Sequence, residues 1–265
     1  MSAFTEANRQ AFNDLSATYN AKAWQHNLSQ QVSDALQHRR DWLGVRWAKG
    51  DDGRDVSLLD YACGTGAITK ALGPYVTTIR GVDISEKMVE LYNEAARSSG
   101  LEPERANAVV GDLLAETIPE QLSGPDYEQF DVAVIGLGFH HFEDPALAIK
   151  HFLPFKSEAQ QEPKDGEHPP HGAGAPDMTH TIKHNGFTRS RMEKLYEQGG
   201  LEDFGWYVDP KPVLMEMKTG TKERTLFIAK GRRAPTAWGK LRNWFFSVQL
   251  QTAGQMSPRP DTRYS

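Results

Sequence analysis

Three aspartates at the ends of short apolar runs, Asp60, Asp83 and Asp112, are the first residues in this sequence whose chemistry can be read. The first lies in "LLDYACGTGAIT", where Gly64 and Gly66 occupy a turn between an apolar run and a helical segment. Glycine there lets a ligand approach the backbone closely, and the helix start offers unpaired N–H groups. Such a turn serves a dinucleotide, a nucleoside triphosphate, an S-adenosyl ligand, or only the sterics of a sharp bend. Triphosphate binding would need Gly-Lys-Ser/Thr, and the chain has Gly66-Ala67-Ile68. The dinucleotide fingerprint wants a third glycine where Thr69 stands, and Asp60 would repel a pyrophosphate while suiting a cationic amino-acid ligand. Asp83 is placed to accept both hydroxyls of a ribose, and Asp112 to accept from an adenine amino group. Singly, each is an ordinary solvated carboxylate; in this order, they line one edge of a single crevice.

Histidines are the other candidates. His140 and His141 follow the fourth apolar run and are the nearest general bases, although such a pair also serves to cap a strand. His168, His171, His180 and His184 fall in a Pro/Gly-rich tract, where ligating histidines would lack rigid support, so no metal site is expected. Cys63, the one cysteine, reads as filler in a crowded turn; it excludes an internal disulfide and any multi-cysteine metal site.

The elements that must carry these residues alternate. "VSLLDYA", "VTTIRGVDI", "NAVVGDL" and "FDVAVIGLG" read as strands, with helices between the first three, including "SEKMVELYNEAARSSG" with its serine cap and terminal glycine. This is the pattern of a doubly wound α/β fold that binds ligands at the carboxyl ends of parallel strands. Two amphipathic helices precede it, with Val32, Leu36, Leu43 and Trp47 on one core face. A helix at "SRMEKLYEQGG" and two strands, "LEDFGWYVDPKPVLMEM" and "ERTLFIAKG", follow a long loop. The expected organisation is an N-terminal helical cap at 1–50, a binding domain at 51–231 with a loop or lid at 157–185, and a basic aromatic tail at 232–265. In the tail, Trp238, Leu241, Phe245 and Val248 share a helical face that suits a membrane surface or another subunit, but packing on its own domain, or no order at all, is the favoured reading.

The net charge is −5, with +5 of basic excess after residue 231 and therefore −10 on the body. An acidic body argues against a nucleic-acid partner. The N-terminus is polar, no apolar run approaches the ~20 residues of a membrane span, and a cytoplasmic protein is the default.

The segments "LLDYACGTGAIT", "GVDISEKMVE", "VVGDLL" and "FDVAVIGLGFHHFEDP" together resemble the signature segments of class I S-adenosylmethionine-dependent methyltransferases, most of all the small-molecule branch of ubiquinone-type and fungal secondary-metabolite enzymes. The resemblance spans roughly Phe12 to Lys230. It implies a Rossmann-like sheet with S-adenosylmethionine as cofactor and a small-molecule methyl acceptor, modified at O, N or C. It further implies that Ala62, Gly64 and Gly66 lie against the methionine part, with Asp60 near its ammonium. Asp83 would take the ribose, Ile84 and Met88 pack on the adenine, and Asp112 and Leu113 lie at its other edge. Gly136 and Leu137 would pass under the sulfonium, and Tyr19 of "FNDLSATYN" would close over the cofactor. Ala62 stands where the family often has glycine. The family's Pro-Gly-Gly turn and inner fifth strand are absent after "DPALAIKHFLPF", so that strand is expected to be shortened or missing. Either another segment fills the gap, or the protein is an impaired descendant that works by binding a partner.

Overall fold

A computed structural model describes residues 1–19, 21–48, 53–151, 178–184, 186–217, 220–233 and 243–252. Helices α1 (Ala3–Leu15), α2 (Ala23–His38) and α3 (Arg40–Leu43) lead into alternating strands and helices. These are β1 (Ser57–Tyr61), α4 (Ala67–Leu72), β2 (Thr78–Asp83), α5 (Glu86–Ser98), β3 (Ala106–Val110), β4 (Val132–Gly136) and α6 (Pro145–His151). After Met178–Thr181, a short 3₁₀ turn, come α7 (Arg189–Gln198), β5 (Glu202–Met217), β6 (Gly220–Arg232) and β7 (Trp244–Thr252). One seven-stranded sheet results, in the order β3-β2-β1-β4-β7-β6-β5.

Strands β1 to β4 are parallel, as the alternating pattern predicts. Successive residues supply opposite faces. Leu58 packs with Val32, Leu36, Leu43 and Trp47 beneath α2 and α4, while Leu59 packs with Ile149, Met192 and Tyr196 beneath α6 and α7. The acids at the ends of β1, β2 and β3 thereby come to one edge, beside the point where the chain reverses direction between β1 and β4.

The far half of the sheet corrects the expectation. The inner position beside β4 is filled by β7, so the strand expected to be missing is supplied by the segment read as a tail. β7 runs parallel to β4, from Val132↔Trp244 to Gly136↔Val248, and antiparallel to β6, from Arg232↔Trp244 to Arg224↔Thr252. No crossover is needed, because β6 and β7 are antiparallel neighbours and Arg232, at the end of β6, pairs with Trp244, at the start of β7. Trp244–Thr252 is therefore a strand, and the sheet does not stop at residue 231. The helical spacing in the tail fails for a physical reason. Phe245 and Phe246 lie on opposite faces, one against Phe139 and Tyr196, the other against Trp47, and both are fully buried. Short apolar runs fit strand or helix equally, and the vacancy between β4 and β6 decides. Trp238, Leu241, His168 and His171 lie outside the described residues. No helix among the described residues is long and apolar enough to cross a membrane.

Phe246→Ala should lower unfolding stability by about 3–5 kcal/mol in urea titration, as for a buried core aromatic; a loss under 0.5 kcal/mol would place the segment outside the core.

Candidate active site

The turn after β1 is held open from behind. Gly64 has φ +50 and no atom within 4 Å of where a Cβ would stand. Its N–H donates to Asp83 Oδ2 at 2.9 Å, tying the turn to the end of β2. Gly66, at φ +86, starts α4, and a Cβ there would come within 3.1 Å of the Tyr92 ring. Ala62 takes φ +54 without being glycine, a conformation that costs about 1–2 kcal/mol. Across the crevice, Gly136 lies so close to α4 that a Cβ would sit 2.6 Å from Ile68. Leu137, also left-handed at φ +61, donates its N–H to the Val248 carbonyl at 2.7 Å, so β7 fixes the loop that follows β4.

The three acids differ. Asp83 accepts from Gly64 N–H through one oxygen and from Ser85 N–H, at 2.9 Å, through the other. Each carboxylate oxygen has a second lone pair, so both can still accept. Burial pushes its pKa up against these bonds. Asp112 Oδ1 accepts from the Tyr61 hydroxyl at 3.0 Å and from Leu114 N–H at 2.9 Å. That second bond tightens the turn; Leu114 borders the cleft and Leu113 does not, while both pack against the same core cluster. Asp60 is fully buried beneath the turn. One oxygen accepts from Thr69 Oγ1 at 3.0 Å and the other has no partner. Burial, opposed by Thr69 and aided by Asp83, raises its pKa to about 8.

These walls enclose a cavity of about 1220 Å³. Of the residues singled out in the sequence, Tyr19, Ala62, Gly64, Asp83, Ile84, Met88, Asp112, Gly136, Leu137 and His141 line it. Asp60, Gly66, Leu113 and His140 stand behind the lining. Burial pushes Tyr19 up, and so does the Asp83 carboxylate, which marks the two as neighbours.

The histidines divide. His141 Nδ1 lies 2.8 Å from the Thr181 carbonyl, and an oxygen that only accepts requires the proton on Nδ1. The ring is thus the Nδ1–H tautomer, with the lone pair on Nε2, and burial lowers its pKa. His140 is more deeply buried. Burial, with the adjacent His141, lowers its pKa to about 3, opposed in part by Gln249 of β7. Its carbonyl accepts from Lys183 and His184 N–H groups, pinning residues 181–184 over the end of β4. His140 is a positioning residue.

Helix α1 roofs the cleft, which the sequence motifs do not reveal. Asn13 Oδ1 accepts from Ser85 Oγ at 2.7 Å and from Lys87 N–H at 3.2 Å. Arg9 donates to both oxygens of Glu86 at 2.7 and 2.9 Å. This clamp sets α1 on the start of α5 and turns Asn8 and Phe12 into the cavity. Phe12 opens the "FNDLSATYN" segment singled out above, whereas Asn8 carried no signal beyond its spacing of four residues from Phe12.

The residues suit S-adenosylmethionine. The open space at Gly64 matches a ligand lying on the turn, and the Asp83 and Asp112 carboxylates border the same space with lone pairs to spare, whereas Asp60 stands behind it. No group of three or more possible metal ligands occurs among the described residues.

Comparison with known proteins agrees. Residues 59–153 match a family described as the methyltransferase domain. The chain is 39% identical over 89 residues to an uncharacterized methyltransferase of Schizosaccharomyces pombe, C1347.09, covering 34% of this chain and 31% of that one. It is 31% identical over 108 residues to the uncharacterized methyltransferase YcgJ of Bacillus subtilis, covering 41% and 39%. The chain thus spans about a third of the length of these curated relatives. Magnesium protoporphyrin IX methyltransferase of Synechocystis PCC 6803, solved with S-adenosylmethionine and with S-adenosylhomocysteine, shares its fold. The TM-scores are 0.51 and 0.52 at 15% and 14% identity, covering 88% and 87% of this chain and 99% and 100% of that one. The strand-end acids and the glycine turn all lie within residues 59–153, the stretch that matches the methyltransferase domain family.

Proposed function

We propose that the protein is an S-adenosylmethionine-dependent methyltransferase that transfers a methyl group to an O, N or C atom of a small molecule. The observation that carries this reading is the convergence of Asp83 and Asp112 on the space before the glycine turn, each with acceptor capacity left over, with Asp60 buried behind it. When bound, S-adenosylmethionine supplies a methyl on a sulfonium whose leaving group is already built in. Asp83 would hold the ribose hydroxyls and Asp112 the adenine edge, while Asp60 would face the ammonium only from behind the turn. Ile84 and Met88 would cover the ring, and Tyr19 would close beside Asp83. The chain's remaining task is to align the acceptor atom and exclude water, for which α1 and residues 181–184 are the cover. His141, neutral and with Nε2 bare, suits removal of a proton from that acceptor. A cavity of about 1220 Å³ exceeds the roughly 300–1000 Å³ of an ordinary ligand pocket, which supports a cofactor together with a small acceptor. The missing strand, the main argument for a non-catalytic descendant acting through a partner, is answered by β7.

Calorimetry with S-adenosylmethionine and S-adenosylhomocysteine should give micromolar binding, weakened at least tenfold in Asp83→Ala, consistent with about 1.5–3 kcal/mol for a charged hydrogen bond. A folded wild-type protein that binds neither ligand would refute the cofactor assignment.

The neutral histidines have a stability signature. His140 binds its proton far more weakly folded than unfolded, so it contributes stability above the ordinary histidine pKa of about 6.5 that is lost as pH falls toward 3. Asp60 acts with the opposite sign: its raised pKa contributes stability at low pH that is lost as pH rises through about 8. The difference between wild type and His140→Gln isolates the histidine. It should shrink on going from pH 7 to pH 5 by up to ~1.4 kcal/mol per pH unit, read from urea unfolding at each pH. A constant difference would mean that His140 is not held neutral.

A further inference from the structure

We propose that Asn8 and His141 form a pair of hydrogen-bond acceptors that selects a methyl-accepting molecule bearing a hydroxyl or amine, and rejects a carboxylate. The proposal rests on the methyltransferase reading for what else the cleft holds, but its own evidence is the wall opposite the three acids.

Asn8 lines the cleft yet is only 2% exposed. Its Nδ2 donates to the Phe4 carbonyl at 3.0 Å. A carbonyl only accepts, so the amide orientation is fixed and Oδ1 is the atom left over. That oxygen is buried and has no partner among the described residues, a state that costs about 1–3 kcal/mol. Phe12, one helical turn along α1, stands edge-on to the His141 ring at 5.0 Å between centroids. Asn8 therefore lies about 6 Å along the helix axis from Phe12, the residue that touches His141. The Thr181 carbonyl fixes the His141 proton on Nδ1, which leaves Nε2 bare as well.

Two lone pairs on one wall ask for donors. A hydroxyl or an amine supplies one, and its proton is the one that methyl transfer must release. A carboxylate supplies none and would set its own charge against both. The rim acts in the same direction. Among the described residues bordering the cleft, Glu143 and Asp144 stand against one side-chain cation, Lys183, whose Nζ lies 5.4 Å over the Phe4 ring. The resulting field disfavours an anion.

Phenol, aniline and benzoate present one ring with three different polar groups. Their affinities for the protein would be measured by saturation-transfer NMR at pH 7.5, with and without S-adenosylhomocysteine. Phenol and aniline should bind at least tenfold more tightly than benzoate. Asn8→Leu should reduce that margin below threefold, while Asn8→Asp, which keeps an acceptor in the same place, should preserve or widen it. Benzoate binding as tightly as phenol, no binding of any probe, or a margin that moves alike in both variants would overturn the proposal. If S-adenosylhomocysteine fails to bind but the margin persists in its absence, the acceptor pair stands and only the methyltransferase reading falls.

Discussion

The structure depends on the pairing of β7 between β4 and β6. An inner strand must satisfy N–H and C=O groups on both edges, and each group left buried and unpaired would cost about 1–3 kcal/mol. With Trp244–Thr252 in place, both edges are closed along most of their length. The site inherits its order from this pairing. The Val248 carbonyl holds Leu137 in its left-handed conformation, and Gln249 meets His140, whose carbonyl anchors residues 183 and 184. The roof of the cleft and its floor are thus tied to one strand.

Against this frame, the electrostatics are deliberately unbalanced. Asp60, Asp83 and Asp112 are each less than a tenth exposed, and no side-chain cation answers them among the hydrogen bonds they make. Backbone N–H groups and hydroxyls compensate in part. What remains around the cleft are the Asp83 and Asp112 carboxylates, which favour a ligand with several donors.

Much of this was legible in the residues, and the exceptions have physical causes. β1 to β4 announce themselves by short apolar runs closed by glycine or aspartate, and each acid lies where its strand must end. Leu113 and Leu114 could not be told apart, because the Asp112 side chain bends the backbone by accepting from Leu114 N–H. His140 and His141 are neighbours in a 3₁₀ turn, so one faces the cavity and the other the interior. The acceptor wall depends on how α1 docks, through Arg9, Asn13, Ser85 and Glu86, which are distant in the chain. β7 carried no local mark at all. Its identity follows from a vacancy elsewhere in the sheet, and a sequence read segment by segment has no view of vacancies.

The position of β7 in the chain has a consequence for biosynthesis. Proteins leave the ribosome from the N-terminus, and β1 to β4 emerge long before Trp244. Throughout that interval β4 has one edge bare, and the segment that will cover it has yet to be translated. Non-local pairing of this kind is slow, and an open strand edge recruits other chains. The nascent protein therefore passes through a stage in which the three strand-end acids are in place but neither the sheet nor the loop after β4 is finished.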